Sequence, residues 1–349
     1  MNDGRSGNRV VHALFQPRYA GDDALPRLAG LRFAQHGLAA ELYADTPDDL
    51  DRLLPYVPPH PRRPTVHLNR GLNLLRERDR GLVEQFAARL AGRLSGMVVH
   101  DQAGMGEPAN DPAAALRDLD TRLGRIPGAP PVFLEYAAGL EPARFVELAE
   151  QLKDAERVSC CIDVGHVGIR RAAARFARGH PDIGLRSLSP SDARLPGLVP
   201  DVQDAVTSAV HDVQDMTRAI GRLGKHVHFH LHDGHPLAGG PGGLADHFTF
   251  LMRLPIPFTY QGRQSLATLY GPGGLAAIVA TAAEACTLDR VSFTLEIHQV
   301  EGREPLGDAE GLFRHWPDKA NGERLNHWLS VLAGNAMLVE QAIPPGSAA

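Results

Sequence analysis

The chain has 349 residues, enough for one large α/β barrel or two smaller domains, and its 43% of hydrophobic residues is ordinary for a globular protein. The formal net charge of -5 argues against a dedicated nucleic-acid binder, and no apolar run of about 18 residues indicates a membrane span. Because no such run is present, we expect no membrane contact. Cys160, Cys161 and Cys286 lack the spacing of a disulfide framework or a metal motif, so we expect a reducing, cytoplasmic location.

Runs typical of β-strands alternate with helical patterns from the start of the chain. Apolar, β-branched and aromatic residues fill the short runs, and apolar residues recur at helical spacing in the longer ones. The first four pairs are VVHALFQP with DALPRLAGLRFAQHG, AAELYAD with TPDDLDRLLPYV, PTVHLNR with RGLVEQFAARLAG, and GMVVHDQ with DPAAALRDLDTRLGRI.

The alternation continues to the end of the chain. The remaining pairs are PVFLEYA with EPARFVELAEQLKD, VSCCIDVGH with a return helix near 201–223, HVHFHLHD with GGLAAIVATAAEA, and VSFTLEIH with NHWLSVLAGNAMLVEQA. Eight βα units predict an α/β fold, a single (β/α)8 TIM barrel over residues 1–349, with a doubly wound open sheet as the alternative. Long βα loops are predicted after strands 6, 7 and 8, at 167–200, 234–272 and 299–324, on the face where barrels carry their active sites.

The seventh strand, HVHFHLHDG, has a histidine at every second position. A strand sends His226, His228, His230 and His232 to one face and the apolar residues between them to the other. Such imidazoles can hydrogen-bond to one another in a polar cavity, or they can bind a metal. The alternation alone leaves both interpretations open.

Other strands also place titratable side chains on the predicted inner face of the barrel, close to their C-terminal ends. Carboxylates and imidazoles that converge from separate strands suit a divalent metal, whereas a thiolate site would require cysteines. We interpret Cys161, on the strand face of Asp163, as a small buried thiol. The candidate residues at the strand ends are His67, His100, Glu135, Asp163, His166, His230, His232, Asp233 and Glu296.

These motifs resemble those of the xylose-isomerase-like TIM barrels, which include sugar isomerases and epimerases and the endonuclease IV class of nucleases. The resemblance covers about residues 30–298 and depends on LEY at Glu135, IDVGH at Asp163 and His166, HLHD at His230, and LEIH at Glu296. It implies one divalent metal (Mn, Co, Mg, Fe or Zn) held by Glu135, Asp163, His230 and Glu296. His166 would then contact the substrate.

The first functional hypothesis from this resemblance is a metal-dependent isomerase or epimerase of a sugar or related polyhydroxy carbonyl compound. Glu135 and Glu296 would move protons on opposite faces of a substrate carbon beside a metal-bound carbonyl. Removal and return of that proton would interconvert the two substrates.

The alternative is a multinuclear zinc-dependent phosphoester hydrolase of the endonuclease IV type, with two or three zinc ions. His67 and His100 match early ligands of that class, and Asp246 with His247 resembles a later pair. The nucleases separate that pair by one residue, whereas these two are adjacent and would diverge in a regular strand. Lumen histidines bonded to their neighbours, and a turn with a helix cap, are the corresponding structural interpretations.

Several further residues are candidates for substrate contact. His232 and Asp233 would bind the substrate or orient a ligand, and Arg263 in YQGRQ would contact the substrate from the second loop. Arg171, Arg175 and Arg178 share a helix face that is either solvated or binds an anion. We expect a small-molecule substrate rather than nucleic acid, and the sequence leaves the oligomeric state and a non-catalytic binding role open.

Overall fold

The computed structural model describes residues 11–15, 23–57, 59–137, 139–188, 192–237, 245–251, 268–298 and 318–344. Eight parallel strands close into a barrel in chain order, and the last strand pairs with the first through Val11 and Phe293. This architecture confirms the predicted TIM barrel. The barrel strands are β1 (Val11–Leu14), β2 (Ala39–Ala44), β3 (Thr65–Leu68), β4 (Gly96–His100), β5 (Val132–Glu135), β6 (Val158–Asp163), β7 (Val227–Leu231) and β10 (Val291–Leu295).

Helices connect the strands and cover the outside of the barrel. Thr46 begins one of them with a capping box, in which its hydroxyl accepts from the Asp49 amide and Asp49 accepts from the Thr46 amide. No helix in the described ranges is both long enough and apolar enough to cross a bilayer. The helices are α1 (Ala24–His36), α2 (Pro47–Leu53), α3 (Glu77–Arg89), α4 (Pro112–Gly124), α5 (Pro142–Gln151), α6 (Val164–Gly179), α7 (Leu195–Thr207), α8 (Ala209–Gly221), α9 (Gly271–Ala285) and α10 (Gly322–Ala342).

The segment after β6 contains more helix than the sequence predicts. Helix α6 starts at Val164, directly after the strand, and the return helix expected near 201–223 is two helices, α7 and α8, that meet at Ser208. Arg171 and Arg175 of α6 lie 3.1 Å and 2.7 Å from the carboxylate oxygens of Asp212 on α8. The anion that these two arginines bind is therefore a side chain of the protein itself.

Apolar packing encloses the barrel from outside, while its interior is largely polar. Trp328 of α10 is buried and donates its indole N–H to the carbonyl of Ile297, 2.7 Å away, which fixes the last helix against the end of β10. Inside the barrel, Val98, Phe133 and Cys161 form a small apolar cluster. Above this cluster, towards the carboxyl ends of the strands, the interior side chains are imidazoles and carboxylates.

A short antiparallel hairpin follows β7, formed by β8 (Asp233–His235) and β9 (Ala245–Phe248). His235 in this hairpin is fully buried, and burial lowers its pKa from 6.5 to about 3. The unfolded chain therefore takes up a proton near pH 6.5 that the folded chain excludes until about pH 3. The stability that neutral His235 contributes is thus complete above pH 6.5 and is lost as the pH falls towards 3.

We expect His235→Gln to flatten the acid limb of the stability profile, because glutamine accepts the amide of Leu237 as the ring does and has no proton to take up. Urea unfolding at a series of pH values measures this slope. The loss of free energy of unfolding between pH 6.5 and 4 should shrink by at least about 1.4 kcal/mol, the equivalent of one pKa unit. The exposed His36→Gln is the matched control, and equal slopes in both variants would refute the assignment.

Candidate metal centre

The carboxyl ends of the barrel strands bring the predicted site residues to one edge of the barrel. His67, Glu135, Asp163 and Glu296 are buried there, and His100 keeps 22% of its side chain exposed. Parallel strands force this convergence, since all of their C-terminal ends open on the same face. The donors form two groups, named here for the number of residues in each.

The three-donor group consists of His67, His100 and Glu135. His67 Nδ1 lies 2.8 Å from the carbonyl oxygen of Leu68 and donates to it, so in the neutral ring the Nε2 lone pair faces Glu135 Oε2, also 2.8 Å away. His100 Nε2 lies 3.1 Å from His67 Nε2 and 3.2 Å from Glu135 Oε2. This triangle is close to the spacing of about 3.3 Å between donors of a tetrahedral ion with bonds of about 2.0 Å.

His67 Nε2 and Glu135 Oε2 are both acceptors when the His67 ring is neutral, so a proton or a metal ion has to lie between them. Burial lowers the pKa of His67, but the Glu135 carboxylate outweighs burial and the pKa is raised. Burial likewise raises the pKa of Glu135, yet His100, His230 and His67 together hold it well below its usual range. A shared proton or a metal ion would satisfy these two opposed shifts equally.

The five-donor group consists of Asp163, His166, His232, Asp246 and His247. Asp163 caps α6 by accepting the His166 amide at 2.8 Å, and its Oδ1 lies 2.9 Å from His232 Nε2. His166 lies between two carboxylates, with Nδ1 3.5 Å from Asp163 Oδ2 and Nε2 3.5 Å from Asp246 Oδ2. The D-x-x-H spacing is thus the spacing of a helix cap and its third residue, which places both side chains on the lumen.

Asp246 and His247 both reach this group although they are adjacent in sequence. They lie in β9 rather than in a turn with a helix cap, so that interpretation is wrong. A register shift interrupts the pairing of β8 and β9, and His247 adopts a left-handed conformation with φ of 62°. This backbone, which costs a non-glycine residue about 1–3 kcal/mol, allows His247 Nδ1 to lie 2.8 Å from Asp246 Oδ1.

Glu296 and His230 join the two groups. His230 Nδ1 lies 3.1 Å from Glu135 Oε1 and 3.1 Å from Glu296 Oε2. Glu296 Oε2 also faces His247 Nε2 at 3.8 Å, and its other oxygen accepts from the Tyr43 hydroxyl. Burial raises the pKa of Glu296, but His230 and His247 hold it well below its usual range.

Sequence reasoning missed two side chains on β2, and His298 after β10 also lies beside the site. Glu41 and Tyr43 stand two residues apart and so share a strand face; Glu41 reaches His228 and His230, and Tyr43 stacks on His67 with ring centres 4.5 Å apart. The ring centres of His298 and His247 lie 4.3 Å apart. The period of two in AAELYAD was a usable signal for the first pair.

The predicted substrate contacts have different outcomes. His232 lies in the five-donor group, whereas Asp233 accepts the amides of Gly234, Tyr270 and Gly271 at 2.8 Å, 3.2 Å and 2.8 Å. Asp233 thereby fixes the start of α9, and a role in substrate binding stays a prediction. Arg263 lies outside the described residues.

The residues present fit divalent ions by charge and by donor chemistry. Glu135, Asp163 and Glu296 have only histidines as ion-pair partners in the described ranges. His166 Nδ1 is buried there without a hydrogen-bond partner. Imidazole nitrogens with carboxylate oxygens are the donors that zinc, cobalt, manganese and iron accept.

No protein-family model matches the chain, and no curated protein matches its sequence. Among solved structures, a D-allulose 3-epimerase from Methylomonas sp. is similar with a TM-score of 0.44 and 12% identity, over 96% of this chain and 98% of that one. A thermostable mutant of a xylanase from Cellvibrio japonicus gives 0.44 and 10% over 83% and 86%. The carboxyl transferase domain of Rhizobium etli pyruvate carboxylase gives 0.40 and 13% over 97% of this chain and 49% of that chain. These matches assign no reaction to the chain.

Gly165 in the IDVGH motif is needed for the five-donor group to form. A Cβ at this position would lie 2.0 Å from Cε1 of His232, so Gly165→Ala would push the ring away from Asp163. We expect the substitution to lower the free energy of unfolding by about 1–3 kcal/mol and to weaken binding of zinc added to chelator-treated protein. Gly81→Ala in α3, where a Cβ meets nothing within 4 Å, should be neutral or stabilising by up to about 1 kcal/mol. Equal zinc affinity in the two variants would show that the His232 position does not matter.

Proposed function

We propose that the chain is a divalent-metal-dependent enzyme with a multinuclear centre that hydrolyses a phosphoester. The observation that supports this most is the triangle of His67, His100 and Glu135, with contacts of 2.8 Å to 3.2 Å, beside a second group that contains Asp246 and His247. A site for one ion would need Glu135 but not the two histidines of the triangle or the pair Asp246 and His247. Together the two groups offer more donors than one ion can accept.

In this proposal His67, His100 and Glu135 hold one ion, and the five-donor group holds a second. Bound divalent ions would supply Lewis-acid stabilisation of a phosphoryl oxygen and activation of water. The substrate would approach between His100 and His166, which keep 22% and 18% of their side chains exposed while His67 and Asp163 are closed off. Tyr43 orients Glu296 by donating to its carboxylate.

The contacts of Glu135 argue against proton abstraction as its main task. Glu135 has Oε2 against His67 and His100 and Oε1 against His230, so both of its oxygens are engaged. A general base has to be free to take up a proton, whereas both oxygens of Glu135 already face imidazoles. The net charge of -5 favours a small phosphoester over nucleic acid as the substrate, and we keep the cytoplasm as the proposed location.

The second candidate is the isomerase or epimerase of a sugar or related polyhydroxy carbonyl compound, with one divalent metal on Glu135, Asp163, His230 and Glu296. One observation favours it: His230 Nδ1 lies 3.1 Å from each of two glutamates that come from opposite sides. Two carboxylates placed in this way could remove and return a proton on the two faces of one substrate carbon. His166 would then contact the substrate at the open side of the site.

Hydrolysis of nitrophenyl phosphate monoesters and diesters, measured on chelator-treated and zinc-reloaded protein, tests the first candidate. We expect activity only after reloading, and a loss of at least about 10- to 100-fold in His100→Gln, because one imidazole of the triangle is gone. His211→Gln, at an exposed position on α8, is the matched control and should keep full activity.

The same protein is then incubated with ketoses and aldoses in deuterated water. Deuterium incorporation at carbon that falls by about 10²–10⁴-fold in Glu296→Gln, without any phosphoester cleavage, would replace the hydrolase by the isomerase. Cleavage without incorporation is the result that the first candidate predicts.

A further inference from the structure

A third set of donors lies deeper in the barrel, below the two groups of the metal centre. The interior group consists of Glu41 on β2, Cys161 on β6, and His228 and His230 on β7. All four side chains are fully buried. One ligand atom from each of Cys161, His228 and His230 lies within 4.8 Å of the other two, and Glu41 contacts both histidines at 3.2 Å and 3.0 Å.

One oxygen of Glu41 accepts two hydroxyl hydrogen bonds, and the other faces His230. Oε2 accepts from the hydroxyls of Thr65 and Thr294 at 2.7 Å and 2.9 Å. Oε1 faces His230 Nε2 at 3.0 Å, but in the described part of the chain neither atom has a partner with hydrogen-bond geometry. Leaving a buried polar atom without a partner costs about 1–3 kcal/mol, and more for a charged group.

We propose that the interior group binds one zinc-class divalent ion through Glu41, Cys161, His228 and His230 Nε2. The thiol loses its proton on binding, so a divalent ion with one thiolate and one carboxylate is electrically neutral, as a buried site requires. His230 Nδ1 remains free to donate to Glu135 and Glu296. Histidine ligands of metals commonly make such a hydrogen bond to a carboxylate with their second nitrogen.

The donor set determines the kind of ion. A thiolate beside imidazoles selects zinc or cobalt over magnesium and manganese, which prefer oxygen. Phe133 stacks on His228 with ring centres 5.2 Å apart and shields the group from below. The ion would therefore be structural, and it would hold His230 in place beneath Glu135 and Glu296. This site does not depend on the reaction proposed above.

Cobalt substitution distinguishes the interior group from the metal centre above it. The full-length protein is produced in zinc-depleted medium with cobalt, so that it folds with the ion present. A thiolate bound to cobalt gives an intense near-ultraviolet charge-transfer absorption, and the imidazoles and carboxylates of the upper groups do not. We expect this absorption in the parent protein and its loss in Cys161→Ser.

The chain supplies its own controls, because Cys160 and Cys286 are also buried but lie outside the interior group. Cys160→Ser and Cys286→Ser should keep the absorption, and so should Glu296→Gln, which removes a donor from above. Absence of the absorption from the parent protein, or its persistence in Cys161→Ser, would overturn the proposal. Loss of activity in Glu296→Gln with the absorption intact would concern the reaction alone.

A second measurement covers the case in which Cys161→Ser fails to fold. X-ray absorption at the zinc edge of the zinc-loaded parent protein should require a sulfur neighbour at about 2.3 Å besides nitrogen and oxygen. A zinc environment of nitrogen and oxygen alone would refute the site without any variant.

Discussion

Buried carboxylates whose ion-pair partners, among the described residues, are all histidines impose the central constraint on this barrel. Glu41, Glu135, Asp163 and Glu296 are at most 4% exposed, and within the described ranges each has imidazoles as its ion-pair partners. Removing one such charge from water costs several kcal/mol unless a positive charge lies beside it. The lumen therefore has to hold cations, either as protons on imidazoles or as divalent ions.

Other features of the structure serve this arrangement. Gly165 leaves room for His232, and the left-handed backbone of His247 turns its ring towards the side chain of Asp246. Asp233 keeps its carboxylate on backbone amides and so holds the start of α9 next to β8. His247 has a backbone conformation that costs energy, and position 165 has no room for a side chain larger than that of glycine. Both features are typical of a site maintained for its chemistry.

The sequence predicted the barrel and the strand ends well, because periods of 2 and 3.6 are local properties of the chain. His67, His100, Glu135, Asp163 and Glu296 follow directly from strand alternation and strand direction. What depends on distant pairing could not be predicted: Arg171 and Arg175 bind Asp212, some 40 residues away, and His247 owes its backbone to the hairpin with β8. His230 was predicted to face one metal, yet its two ring nitrogens face two different sets of carboxylates.

The metal content of the protein tests the claim of a multinuclear lumen most directly. Full-length protein purified without chelator is analysed by inductively coupled plasma mass spectrometry beside Glu135→Gln, which removes a carboxylate between His67 and His230. The donor geometry predicts at least two divalent ions per chain, with zinc prominent, and at least one fewer in the variant. One ion or none per chain, or equal contents in the two proteins, would contradict it.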